Sequence, residues 1–339
     1  MNQNQKQIYI KTTESCQLHC KHCYIGDARL KKQFFDEKKT AEWLHKWIEY
    51  NKLDENDLLI SFHGGEPMIC PENKIKYICE QFPNATFNTT TNLVYSLTDA
   101  KMDLFLNHFI DKKINQPFIK TSWDYKIRFS NEKEENIWRN NIKQLIDKGV
   151  YIQVIVCLTS LLINEVSPDD FLKIFKELNI NTISFERLTA NTTDDKYLIP
   201  NYEKQDQWLY DLYKINEEKY HISLGIVEDI INAIKGRFLG CRERKCMQNV
   251  ITINADGSIG GCPNTALCDN FGTINNEPNE IFKNPCRLCS IQKEQLRDNR
   301  CYICDLFNIC NGDCHQLSWQ GEYCPAPKKL MKELISKIQ

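Results

Sequence analysis

No stretch of the sequence approaches the ~18 consecutive apolar residues of a membrane span. The N-terminus, Met1 to Lys11, is rich in Asn, Gln and Lys and lacks the apolar segment that directs secretion. Neither sign of charge dominates: 43 Lys+Arg stand against 45 Asp+Glu, a net charge of −2. That balance gives no electrostatic footprint for nucleic acid. Neither nucleic acid nor a membrane is therefore an expected partner. There is no internal repeat and no low-complexity linker. Without an export signal the chain is expected to be cytoplasmic, in a reducing compartment. There, clustered cysteines serve as metal ligands or redox groups more readily than as disulfides.

Cysteine is what the sequence has in excess. Residues 1–240 hold 6 and residues 241–339 hold 11. The second stretch passes the ~8–10% that marks a cysteine-built scaffold. The hydrophobic content of 42% is enough for a sizeable core, and 339 residues allow about two domains.

The first two-thirds alternate regularly. Strands are predicted at Gln7–Thr12, Asp57–Phe62, Ala85–Thr91, Phe118–Trp123, Tyr151–Leu158 and Thr182–Arg187. Helices are predicted at Thr40–Tyr50, Asn73–Phe82, Leu97–Phe109, Glu132–Lys148 and Asp170–Leu178. Strands alternating with helices imply a parallel sheet with right-handed crossovers. Six such units fall short of the eight of a closed barrel, so the fold class is α/β, a partial (β/α)6 TIM-like barrel. After about Gly236 the pattern changes. Val250–Asn254 and Ser258–Cys262 flank Ala255-Asp256-Gly257, a hairpin signal. Asn264 to Pro327 shows little periodicity, so metal is expected to hold it. Lys328–Lys337 reads as a terminal amphipathic helix. The expected division is residues 1–235 and 236–339.

Cys16, Cys20 and Cys23 form Cys-x3-Cys-x2-Cys directly after the first strand. In α/β folds ligands bind at that end of the sheet. Three thiolates on one loop hold three irons of a [4Fe–4S] cluster and leave the fourth open. Spacing alone leaves a second option, a zinc site with His19 or His22 as fourth ligand.

With the aromatic Tyr24 after the third cysteine, this motif resembles that of the radical S-adenosylmethionine (SAM) superfamily. Gly64-Gly65-Glu66-Pro67, after the second strand, looks like that family's GGEP motif. The resemblance implies that Glu66 accepts from the methionine ammonium. It also implies that Asn92, Ser122 and Asp124, at the ends of the third and fourth strands, make polar contacts to SAM. Arg128 or Arg139 adds a partner for the SAM carboxylate; Arg139 stands in the candidate set. The implied chemistry is reductive cleavage of SAM to a 5′-deoxyadenosyl radical that takes hydrogen from substrate.

The C-terminal cysteines resemble a SPASM domain. Cys246-x10-Gly257-x4-Cys262 is one half, and Cys301-x2-Cys304-x5-Cys310-x3-Cys314-x9-Cys324 the other. Cys241 supplies an eighth thiol. The family's connectivity implies an inner auxiliary cluster on Cys241, Cys246, Cys262 and Cys314, and an outer one on Cys301, Cys304, Cys310 and Cys324. On spacing alone, a pair of zinc ribbons is the alternative. Three [4Fe–4S] clusters and SAM are thus the expected cofactors.

Six cysteines remain. Cys79 and Cys157 are expected in the core, and Cys70 and Cys268 without a catalytic role. Cys286-x2-Cys289 departs from the family pattern and is open to a cluster swap or to zinc. Glu186, with Arg187 beside it, ends the sixth strand. It is a candidate for substrate or SAM contact, or for an internal salt bridge. His63 is expected as a loop residue, Trp43 and Trp47 with Tyr50 as packing, and Asn131–Arg139 as a solvated helix face.

The leading expectation is a peptide-modifying radical SAM oxidoreductase acting on a ribosomal peptide by crosslinking, epimerisation or a related oxidation. Anaerobic sulfatase maturase-type oxidation of Cys or Ser is an alternative. The maturases carry an acidic residue after the cysteine matching Cys262, and here Pro263-Asn264 follows. Radical modification of a small molecule is another alternative, and a non-catalytic iron–sulfur or zinc-binding partner protein a third. No leader-recognition domain is expected before Cys16, so the expectation is that either a separate protein presents the peptide or the substrate is recognised directly. A separate leader-recognition protein and an electron donor such as flavodoxin or ferredoxin are the expected partners.

Overall fold

Apolar residues at alternate positions of the first two strands set the architecture. Ile8 and Ile10 pair with Ile60 and Phe62, and all four are fully buried. They face outward, against a helix that brings Trp43, Leu44 and Trp47 into the same core. The other face of these strands carries Gln7, Tyr9, Lys11, Ser61 and His63. That face lines the barrel interior.

The computed structural model describes residues 6–26, 30, 32–189, 195–264 and 270–338. Its strands are β1 (Lys6–Thr13), β2 (Leu58–Gly64), β3 (Thr86–Thr91), β4 (Ile110–Asp111), β5 (Gln116–Ser122), β6 (Tyr151–Leu158), β7 (Thr182–Arg187), β8 (Ser223–Leu224), β9 (Val250–Ile253), β10 (Ser258–Gly260) and β11 (Gly272–Thr273). The sheet order is β11-β10-β9-β1-β2-β3-β5-β6-β7-β8, with β4 paired to β5. From β9 through β1 to β8 the pairing is parallel. The six expected strands are β1, β2, β3, β5, β6 and β7. Among the described residues no helix is long and apolar enough to cross a membrane.

The barrel interior is polar, unlike the branched aliphatic layers of a closed barrel. Gln7 Nε2 donates to Ser61 Oγ at 2.9 Å, and the Ser61 hydroxyl bonds Asn88. Gln153 bonds Ser184, and Tyr151 bonds Thr182. These pairs satisfy groups that would otherwise be costly to bury.

Three features go beyond the sequence expectations. First, the C-terminal hairpin is not separate from the barrel sheet. β9 pairs with β1, Gln7 opposite Val250 and Ile10 opposite Ile253, and β10 returns antiparallel to β9. The turn sits at Gly257, whose φ is +83°. Second, the stretch read as irregular contains helices, Pro278–Lys283 and Pro285–Gln295 among them. The longer one buries Arg287 and Glu294 rather than an apolar stripe, so hydrophobic periodicity does not reveal it. Third, helix Tyr202–Ile215 follows β7 and carries the terminal helix Lys328–Ile338, with Leu330, Met331 and Leu334 buried between them and helix Gly225–Ile234.

Cys79 is buried in the main core and Cys157 in a smaller cluster, as expected, and Cys70 is buried in the main core too. Cys268 lies outside the described residues. Tyr50 is 49% exposed but stacks on Phe282.

Candidate active site and cluster-binding thiols

The loop after β1 is held by the loop after β2. Gly65 N donates to Thr13 O at 2.9 Å and Glu66 N to Ser15 O at 2.8 Å. The two glycines are needed for this approach. A Cβ on Gly64 would lie 2.1 Å from Thr13 O, and one on Gly65 would lie 2.2 Å from Ser15 O. Gly64 also has φ +130°. Both glycines line the cavity, but what they admit so closely is the cysteine-bearing chain itself. Gly64→Ala is expected to cost about 2–4 kcal/mol, read as a fall in Tm of several degrees. An unchanged Tm would mean that this contact is not needed.

Glu66 corrects an expectation. Its side chain is fully buried and does not line the cavity. One carboxylate oxygen accepts from Met68 N at 2.9 Å and Thr91 Oγ1 at 2.7 Å, and the other from Asn92 N at 2.6 Å. Burial pushes its carboxyl up to about 7 against these bonds. The carboxylate is a strut between the ends of β2 and β3. Pro67 starts a single helical turn and is likewise off the cavity wall.

Cys16 Sγ accepts from Leu18 N at 3.4 Å and from Asn92 Nδ2 at 3.7 Å. Cys20 Sγ lies 3.7 Å from Arg128 O. The segment after β5 braces the loop further. Asp124 accepts from Cys157 N at 2.7 Å and Arg128 Nε at 2.7 Å, and its carboxylate is 3.3 Å from His22 Nε2. Burial opposes its charge, but Arg128 and His22 outweigh burial and hold its carboxyl below the usual range. His22 is thus turned to a carboxylate. Arg128 lines the cavity. Arg139 instead pairs with Glu135 one helical turn away at 2.7 Å, outside the cavity wall, so Arg128 replaces it as the candidate. Helix position decides this, and two arginines in a charged run carry no such signal in sequence.

These groups surround an open-mouthed cavity with about 1350 Å³ of space. Cys16, Cys20, Cys23, Tyr24, Gly64, Gly65, Asn92, Ser122, Asp124 and Glu186 all line it. Cys157 also reaches it from the core. The structure adds Tyr9, His63 and Lys120 to the wall. His63 is not a mere loop residue: it is 3.2 Å from Tyr24 OH, whose ring lies 5.0 Å from the Lys11 ammonium. The period-two rule could have found all three, since each shares a face with a residue already singled out or opposes one across a strand pair.

Glu186 and Arg187 do not form a pair. Arg187 bonds Asp313 of the C-terminal region. Burial, then the charge of Cys241, pushes the Glu186 carboxyl up to about 7, against the pull of Arg187 and Lys120.

The other thiols form two groups. The Cys241 thiol contacts those of Cys246 and Cys314. Cys262 is near enough that, after burial, the charge of Cys241 is the main cause raising its thiol to about 12. Cys301, Cys304, Cys310 and Cys324 line a separate cavity with about 290 Å³ of space. Cys286 and Cys289 are exposed on helix Pro285–Gln295 and line neither cavity. Among the described residues, no three His, Cys, Asp or Glu side chains converge to hold a single metal ion.

No family model matches the chain. An uncharacterized protein of Methanocaldococcus jannaschii is 26% identical over 234 residues, 63% of this chain and 75% of that one. Among solved structures, anSMEcpe, an anaerobic sulfatase maturase, is similar in its form with bound AdoMet. The TM-score is 0.78 at 17% identity, over 98% of this chain and 97% of that one. The same protein with AdoMet and Cp18Cys peptide gives 0.78 at 16% identity, over 98% of each chain. SuiB of Streptococcus suis, bound to the precursor peptide SuiA, gives 0.62 at 14% identity, over 92% of this chain and 72% of that one. The chain thus has the fold of radical SAM enzymes that carry a SPASM domain.

Proposed function

We propose that the chain is a radical SAM enzyme that oxidatively modifies a peptide. The observation that carries this reading is the three-thiol loop. It is clamped by Gly64-Gly65 and opens on a cavity that Glu186 shares with Pro263, the residue after Cys262. When bound, a [4Fe–4S] cluster and SAM supply a single electron, cleavage of a C–S bond and hydrogen abstraction from substrate. Cys16, Cys20 and Cys23 hold that cluster. Asn92, Ser122, Tyr24 and Arg128 bind and orient SAM, Arg128 being fixed by Asp124. Two auxiliary clusters sit on Cys241, Cys246, Cys262 and Cys314, and on Cys301, Cys304, Cys310 and Cys324. The barrel, residues 1–235, holds SAM and substrate; residues 236–339 handle electrons. A cytoplasmic flavodoxin or ferredoxin supplies them, and a separate protein presents the leader of the peptide.

Peptide as the substrate class is supported by the peptide-bound forms of anSMEcpe and SuiB. Maturase-type oxidation of Cys or Ser is the second reading, favoured by the match to anSMEcpe over nearly the whole chain. Against it, Pro263 and Asn264 occupy the cavity wall where the maturases carry an acid.

Anaerobic purification tests the proposal. The expected yield is roughly twelve irons per chain, three clusters of four, and 5′-deoxyadenosine on reduction with SAM. A colourless, zinc-loaded protein would sink it. A reduced, iron-loaded protein that leaves SAM intact would favour a non-catalytic role.

A further inference from the structure

The cavity wall carries two opposite charges that SAM binding leaves unused. Lys120 lies on β5, two residues before Ser122 and so on the same face. Glu186 lies near the end of β7. Both line the cavity, Lys120 half-buried and Glu186 exposed to it. Each feels the other's charge: burial lowers the Lys120 ammonium, and Glu186 opposes that shift. Yet the two do not touch, and neither forms a hydrogen bond or ion pair with any described residue. A ligand that closed the cavity over these groups would have to match them, because desolvating an unmatched charge is costly.

The other strong charges on the wall are already matched. Arg187 bonds Asp313, while Arg128 and His22 share Asp124. What remains is open space with the Lys120 ammonium on the β5 wall and the Glu186 carboxyl on the β7 wall. A neutral ligand would leave both without a partner. A ligand of one sign would leave one of them so.

We propose that Lys120 and Glu186 read a substrate unit of paired opposite charge, its carboxylate seated against Lys120 and its ammonium or guanidinium against Glu186. This rests on the reading of the cavity as a substrate chamber. Two sources share the chemistry: acidic and basic side chains of one peptide, or the two termini of a free amino acid.

The test needs no turnover. Full-length, anaerobically purified protein with SAM bound is acetylated at trace level. Modification of Lys120 is read by peptide mass spectrometry relative to exposed Lys39. The probes are glycine, N-acetyl-Asp-Ala-Lys-amide, acetate and N-acetyl-Ala-Ala-Ala-amide. A doubly charged probe should slow Lys120 labelling about tenfold at ten times its Kd, with acetate and the neutral peptide having little effect. Protection by the Asp-Ala-Lys peptide assigns the charges to side chains; protection by glycine assigns them to a free amino acid. Glu186→Gln should abolish protection while Lys120 remains reactive. Three results would overturn the proposal: no probe protects Lys120, SAM alone protects it fully, or Glu186→Gln retains protection. A preparation that releases no 5′-deoxyadenosine counts against the radical chemistry and leaves the labelling result standing.

Discussion

Cys20→Ala is expected to remove about four of roughly twelve irons per chain and to cut 5′-deoxyadenosine release by at least about 10³-fold, near 4 kcal/mol on the barrier. The loop has three thiols and no spare. The nearest other cysteine on the wall, Cys157, sits on β6 with its thiol pushed well up by burial, so it is a poor thiolate donor. His22, the one imidazole on that loop facing the cavity, is engaged with Asp124. Among the described residues the loop has no further thiol to take over the lost ligand. Cys304→Ala should also lose about four irons but keep SAM cleavage, because Cys304 lines the outer hollow and not the SAM cavity. Iron analysis and chromatography of the nucleoside separate the two variants. If Cys20→Ala kept its full iron content and its cleavage, the assignment of the catalytic loop would be wrong.

Asp313→Ala should destabilise the protein by about 3–5 kcal/mol, the penalty for stranding buried charge. Asp313 is 1% exposed. Its carboxylate bonds Arg187 from the end of β7 and lies 3.9 Å from Arg242, which is also buried. It also accepts from the backbone N–H of Cys314 at 2.8 Å. One side chain therefore ties the barrel to the thiols of the inner group. Removing it takes the bonded carboxylate from the half-buried Arg187 and the nearby one from the buried Arg242. Burial works against the Asp313 charge, yet the two arginines prevail and hold its carboxyl below the usual range. A depressed carboxyl contributes stability above its unfolded pKa of about 3.9. That contribution fades as pH falls below this value and through the lower folded one. Thermal melts should therefore show a large loss for Asp313→Ala at pH 7 and a smaller difference from wild type in strong acid. Asp313→Asn, which keeps the shape and a carbonyl acceptor, should fall between them. A Tm within a degree of wild type at pH 7 would show that the pair is not holding the two regions together.

Much of this was legible in the sequence, for a physical reason. Strands such as Tyr151–Leu158 are compact apolar runs, and their ends follow from chemistry within a few residues. The cysteine spacings are local as well, since a loop of eight residues must bring Cys16, Cys20 and Cys23 together. What stayed hidden was non-local. Nothing near Val250 announces that its partner is Gln7, because parallel pairing leaves no turn between the strands to read. Glu66 shows the second limit. Its polarity marks it as important, but polarity does not say whether a carboxylate faces a ligand or three donors of its own chain. Lys120 shows the third. The alternation of Phe-Ile-Lys-Thr-Ser puts it on the face of Ser122, but only the folded sheet shows that no partner meets it.

The pairing of β9 with β1 also bears on how the chain acquires its fold. β1 leaves the ribosome well before β9, which follows more than two hundred residues later. Until then one edge of β1 has its amides and carbonyls open, a template for wrong pairings. Contacts of such long sequence separation form late and slowly. Nascent chains spend that interval exposed to aggregation, a vulnerability that chaperones counter. The barrel's first strand is thus among its last to be covered, and the cysteine-rich segment that covers it also protects the growing sheet.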